Sequence, residues 1–193
     1  MLGLFKGKNK GNLLHSPCNG KVVPITEVPD STFADKILGD GFAVIPSEGK
    51  VYAPADGEVS MVFDTLHAVT MTSTQGTEIL IHIGLDTVTL KGEPFTPHVV
   101  AGDKVKQGDL LMEVDLDKIQ AAGLNTITPV LICNTDTYGK IALQKKGEVT
   151  LEDYPSDKPF TEATMNLDEK GRYITTDKKF RQAFHSSQYN ILV

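Results

Sequence analysis

Apolar and polar residues alternate in short runs along most of the chain. "GKVVPI", "GFAVIP", "KVYAP", "GEVSMVF", "HAVTMTS", "EILIHIG", "DLLMEVD", "TPVLICN" and "GEVTLE" carry aliphatic and β-branched residues bounded by glycine, proline or aspartate. That is the pattern of short strands closed by turns. Two segments have helical spacing instead. "DSTFADKILGD" offers Asp30 or Ser31 as a cap, apolar Phe33, Ile37 and Leu38, and a stop at Gly39. "DLDKIQAAG" is a shorter helical turn ending at Gly123. Many short strands with one or two short helices predict an all-β fold, a β-sandwich or a barrel-like one, spanning residues 13–153.

An internal echo sharpens that expectation. "HSPCNGKVVPI" (His15–Ile25) and "YAPADGEVSMV" (Tyr52–Val62) share the frame x-x-Pro-x-(Asn/Asp)-Gly-x-Val. In each, the Asn-Gly or Asp-Gly pair supplies a tight turn between two strands. Two such copies predict a pseudo-symmetric sandwich of related halves. "AGDKVKQGDLLMEVD" adds two Gly-Asp turns before an apolar strand. Residues 1–12, "MLGLFKGKNKGN", are basic and interrupted by glycine, which predicts a flexible arm rather than a membrane-seeking helix. Residues 154–193 are mostly polar and read as a C-terminal extension without an assigned role.

Composition narrows the function classes. The chain has 193 residues and a formal charge of −6, which gives a nucleic-acid partner no electrostatic support. No run approaches the roughly 20 apolar residues of a membrane span, and the N-terminus lacks a signal peptide's apolar core. A cytoplasmic protein is expected. Cys18 and Cys133 are the only cysteines and belong to no CxxC pair, so neither a structural disulfide nor a zinc knuckle is expected. Cys133, in "PVLICNTD", reads as a buried strand thiol.

Candidate chemistry lies in two adjacent runs. His82 sits among Leu80, Ile81 and Ile83, where burying an imidazole costs free energy unless its nitrogens find partners. His67 lies in the preceding run, with "STQG" as the hairpin loop between them. A loop centred between Thr74 and Gln75 pairs His67 directly with His82, their Cβ atoms about 5 Å apart. A bulge at Gly76 would slip that register by one. Thr65 stands two residues before His67. Two facing imidazoles permit metal binding, but tetrahedral zinc needs a third protein ligand and none stands at a recognisable spacing. They also permit nucleophilic catalysis, in which one ring accepts a group and the other steadies it. Neutral imidazole keeps a lone pair near physiological pH, which suits phosphoryl transfer. Backbone N–H groups near Gly84 are candidate donors to phosphoryl oxygens.

These motifs resemble the glucose-type enzyme IIA of the bacterial phosphoenolpyruvate-dependent sugar phosphotransferase system. "FDTLHAV" and "IHIGLDTVTLKGEPF" carry the resemblance, with "EVPDSTFADKILGDGFAVIPSEGKVYAPADGEV" upstream and "AGDKVKQGDLLMEVD" downstream. The resemblance implies an antiparallel β-sandwich, a barrel-sandwich with a duplicated hybrid motif, and a cytoplasmic phosphotransferase component. It implies that His82 accepts phosphate from the histidine-containing phosphocarrier protein (HPr) and passes it to a cysteine of enzyme IIB. His67 then stabilises the phosphohistidine and Thr65 hydrogen-bonds His67. Phe33, Ile37, Phe63, Leu80 and Val88 match an apolar docking ring, and Asp30 and Asp86 match acidic rim positions. No cofactor is implied; a zinc ion at His67 and His82 would need a third ligand from a partner. Regulatory partners are compatible with the resemblance. Ser31 and Thr32 stand where the best-known relatives are more apolar.

Two other readings fit less well. A biotinyl or lipoyl carrier has similar strands, but the chain shows no lysine at a hairpin tip. A lysostaphin-type zinc peptidase needs a His-x-His pair, and "IHIG" supplies one histidine.

Overall fold

The computed structural model describes residues 13–138, 141–143 and 147–149, together with the backbone of three short strands at 166–167, 173–174 and 191–192. The expected arm at residues 1–12 and most of the expected extension lie outside the described residues.

The chain runs through β1 (Leu13–Leu14), β2 (Gly20–Pro24), α1 (Ser31–Ala34), β3 (Asp40–Pro46), β4 (Lys50–Tyr52), β5 (Gly57–Val62), β6 (Ala68–Ser73) and β7 (Glu78–His82). It continues through β8 (Phe95–Pro97), β9 (Lys104–Val105), β10 (Leu110–Val114), α2 (Leu116–Ala121), β11 (Thr128–Ile132), β12 (Ala142–Leu143) and β13 (Gly147–Val149). Three further strands follow: β14 (Asn166–Leu167), β15 (Tyr173–Ile174) and β16 (Ile191–Leu192). An eight-stranded antiparallel sheet has the order β13-β2-β3-β11-β7-β6-β5-β9, and a three-stranded sheet has the order β4-β10-β8. β16 lies between β1 and β12, and β14 pairs with β15.

The main core lies between the large sheet and β4-β10-β8. Val22, Val44, Val59, Val69, Ile79, Ile81 and Val130 from the first pack with Val51, Leu111 and Met112 from the second. β2, β3 and β11 are covered on their other face as well. There Val23, Ala43 and Leu131 join Ile25, Val28, Phe33, Leu85 and Ile127 in a second apolar cluster. Burial on both faces explains why "TPVLI" is apolar without alternation. It also corrects the reading of Cys133, whose side chain is exposed. β11 ends at Ile132, and the backbone N–H of Cys133 bonds Glu78 O at 2.8 Å just past the doubly covered stretch.

Both helical readings hold at their starts. Asp30 caps α1 by accepting from the Thr32 N–H at 2.8 Å, and Asp115 caps α2 by accepting from the Lys118 N–H at 3.0 Å. The first helix is shorter than its spacing predicts. It ends at Ala34, and Lys36 takes left-handed backbone at φ 59°, so Ile37 and Leu38 leave the helical frame.

The two repeat copies are in direct contact. The N–H of His15 donates to Pro54 O at 2.9 Å, and the N–H of Tyr52 donates to Pro17 O at 2.7 Å. His15 and Tyr52 are equivalent in the repeat, as are Pro17 and Pro54, so these are two copies of one bond across a pseudo-two-fold axis. The next pair obeys the same rule: Ser47 N donates to Asn19 O and Thr74 N to Asp56 O, each at 2.9 Å. The Asn-Gly and Asp-Gly turns do not fold a strand onto itself. They pass the chain from β1 into β2 and from β4 into β5, between different sheets. A Cβ at Gly20 would lie 2.1 Å from Ile45 O, and one at Gly57 would lie 2.3 Å from Thr72 O. Glycine is required at both by the approach of a neighbouring strand.

Candidate functional site

β6 and β7 are central strands of the large sheet, and the site forms where β7 ends and β6 begins. Their register pairs Ala68 with His82 and Val69 with Ile81, so the expected direct pairing of His67 with His82 is off by one. The hairpin tip causes the shift. Ser73 N bonds Thr77 O, Gly76 N bonds Ser73 O, and Gly76 sits at φ 86°, giving a three-residue loop with a glycine bulge. The two rings meet regardless, with centroids 5.0 Å apart and planes at 77°. His67 precedes the first residue of β6, and Leu66 before it takes φ 58°, so strand alternation does not govern where its ring points. Its carbonyl accepts from the Ile83 N–H at 2.8 Å, which ties the backbones of the two histidine segments together.

Each imidazole has one nitrogen fixed and an aromatic ring against it. His82 Nδ1 lies 2.8 Å from Gly84 O, and a carbonyl only accepts, so Nδ1 carries the proton and Nε2 keeps its lone pair. The Phe33 ring packs on His82 with centroids 5.0 Å apart. His67 Nδ1 lies 2.6 Å from Thr65 Oγ1, and Phe63 meets the His67 ring edge-on at 5.4 Å. Burial lowers the pKa of His82, opposed by the hydrogen bond to Gly84 and by the charges of Asp30 and Asp86. Burial and the neighbouring His82 lower that of His67. Both shifts favour the neutral rings.

Around the pair, Ile37 is 71% exposed and Val88 is 46% exposed, while Phe63 and Leu80 are half-buried. Phe33 departs from this set. It is 4% exposed, because α1 turns its ring into the second apolar cluster beneath His82. Asp30 is half-buried and Asp86 exposed, each near enough to His82 to raise its pKa. Of the backbone N–H groups near Gly84, that of Leu85 is bonded to Asn125 O at 2.8 Å, while the Gly84 carbonyl meets His82 Nδ1. Among the described residues no three His, Cys, Asp or Glu side chains are grouped to hold a metal ion. No helix among them is long and apolar enough to cross a membrane.

Residues 12–138 match the family model described as phosphoenolpyruvate-dependent sugar phosphotransferase system, EIIA 1. The chain belongs to this family. This EIIA chain is 49% identical over 137 residues to the PTS system beta-glucoside-specific EIIBCA component of Bacillus subtilis, a match covering 71% of this chain and 22% of that protein. It is 49% identical over 135 residues to the PTS system glucose-specific EIIA component of Oceanobacillus iheyensis, covering 70% of this chain and 82% of the relative. Glucose permease IIA from Mycoplasma capricolum superposes with a TM-score of 0.69 at 36% identity, covering 74% of this chain and 92% of that one. The expected β-sandwich is thus the fold of this EIIA chain.

Proposed function

We propose that this chain is a phosphocarrier in which Nε2 of His82 takes a phosphoryl group from a phosphohistidine of HPr and gives it to a cysteine of enzyme IIB. The reading rests on the hydrogen bond from His82 Nδ1 to Gly84 O at 2.8 Å, which leaves Nε2 as the nucleophile. In the first transfer the Nε2 lone pair forms a bond to phosphorus while the donor's N–P bond breaks, and the electron pair returns to the donor imidazole. In the second, a cysteine thiolate attacks the phosphorus, the Nε2–P bond breaks, and its pair returns to His82. With Thr65 donating to His67 Nδ1, the His67 Nε2–H is available to a phosphoryl oxygen. Such an oriented donor favours the charge that develops during transfer.

The exposed Ile37 and Val88, with Phe63, form an apolar surround that excludes water from a labile group, while Asp30 and Asp86 steer basic partners. Both partners dock on this one face in turn, in the cytoplasm. The transfer calls for no cofactor, and a zinc ion at His67 and His82 would require a ligand from a partner. The test is incubation with phosphoenolpyruvate, enzyme I and HPr, followed by mapping of acid-labile phosphate. Label on His82 that His82→Gln abolishes is expected. Label elsewhere, or none on folded protein, overturns the reading and leaves a binding protein that kept the fold.

A further inference from the structure

The segment after β7 holds a threonine that none of these roles employs. Thr87 has no exposed surface, and its Oγ1 donates to Ile83 O at 2.6 Å. The peptide that carries Ile83 O also carries the Gly84 N–H, and peptide units are planar and stiff. Thr87 therefore fixes the plane on one side of the Gly84 Cα. The plane on the other side carries both Gly84 O and the Leu85 N–H, and that N–H is held by Asn125 O at 2.8 Å. Because the peptide is trans, holding the N–H on Asn125 turns Gly84 O the opposite way, onto His82 Nδ1. Gly84 itself sits at φ 75°, a conformation open to glycine at little cost. A Cβ there would lie 2.5 Å from Thr87 Cγ2 and 2.9 Å from Asn125 O, so the two clamps close tightly around it.

We infer that Thr87 is a positioning residue: by clamping the Ile83–Gly84 peptide it holds one side of Gly84 while Asn125 holds the other, and the two together keep the Gly84 carbonyl on His82 Nδ1 and favour the tautomer with Nε2 free. This deepens the phosphocarrier reading and rests on it for its bearing on transfer. The side chain acts without touching the reacting atoms. Of the two clamps it is the one made by a side chain, since Asn125 contributes its backbone carbonyl.

The test follows His82 by imidazole ¹⁵N NMR in the full chain, with Thr87→Val, Thr87→Ser and Thr128→Val as variants. The shift of Nδ1 reports its protonation and needs no phosphoryl donor. In the unaltered chain, and in Thr87→Ser, Nδ1 should read as protonated. In Thr87→Val the two tautomers should mix, and transfer from HPr should slow on the order of tenfold, the scale of loss when groups orienting metal-bound imidazoles are removed. Thr128→Val removes another buried hydroxyl, bonded to Thr126 O at 3.1 Å, and should leave the tautomer unchanged. Should Thr87→Val not fold, Thr87→Cys keeps a weaker donor at the γ position and should give an intermediate mixture. An unchanged His82 signal in the folded Val or Cys variant, or equal change in Thr128→Val, overturns the role of Thr87. Absence of phosphate on His82 of the unaltered chain would instead overturn the phosphocarrier reading, with the NMR result standing by itself.

Discussion

The ring of Phe33 packs against the ring of His82, centroids 5.0 Å apart and planes tilted by 58°. Because Phe33 is nearly inaccessible, it supports His82 from the protein side rather than awaiting a partner. Phe33→Ala should cost about 3–5 kcal/mol of stability, the usual range for emptying a buried phenylalanine site. Denaturant melts check this; a loss under about 1 kcal/mol would mean that the ring is covered only when a partner docks.

The exposed neighbours should behave in the opposite way. Ile37→Asp and Val88→Asp change side chains that face solvent, so each should shift stability by no more than about 0.5 kcal/mol. On the proposed shared face, each should weaken HPr and enzyme IIB together. Titrations with the two partners measure this, and loss of one alone would indicate separate surfaces.

His67→Gln should still accept phosphate on His82 but pass it on slowly. Losing one oriented donor to developing charge lowers the rate by about 10²–10³. Single-turnover transfer to the enzyme IIB cysteine is the measurement, and an unchanged rate would remove His67 from the mechanism.

Much of this site was legible in local sequence. A cap such as Asp30 bonds within its own turn, and "FDTLH" holds both members of the Thr65–His67 bond. The register of β6 against β7 was not legible, because "STQG" suits either a two-residue loop or a three-residue loop with glycine in left-handed backbone. Helical spacing grouped Phe33 with Ile37, but Lys36 turns left-handed between them and sends one ring inward and the other side chain out. The Thr87 and Asn125 clamps on Gly84 had no readable signal beyond the "GLDT" letters themselves. Asn125 reaches Leu85 from a distant loop, and a backbone carbonyl leaves no mark on residue identity.

Acid should destabilise the protein through imidazoles that lose solvent on folding. Burial lowers the pKa of His15 from 6.5 to about 4, and His67 and His82 are also lowered. Below pH 6.5 the unfolded chain takes up protons that the folded chain refuses. Stability is therefore fully present above that pH and lost as the pH falls. For His15 the loss spreads from about pH 6.5 to 4 and amounts to about 3 kcal/mol at 1.36 kcal/mol per pKa unit. Melting temperatures between pH 7 and 4 should fall less steeply for His15→Gln than for the unaltered chain, and parallel curves would refute the assignment.

The three-residue tip at Thr74–Gly76 acts as a ruler for chemistry at the far end of its hairpin. Every residue of β7 faces the way it does because the count starts at that glycine. Sliding the ladder by a single step exchanges the faces, sending His82 toward the core and Ile81 toward the open side. Nothing lies within 4 Å of where a Cβ on Gly76 would stand, so its surroundings leave room for a side chain and its φ of 86° opposes one. An exposed glycine in a surface loop thus holds the alignment of two imidazoles it never touches.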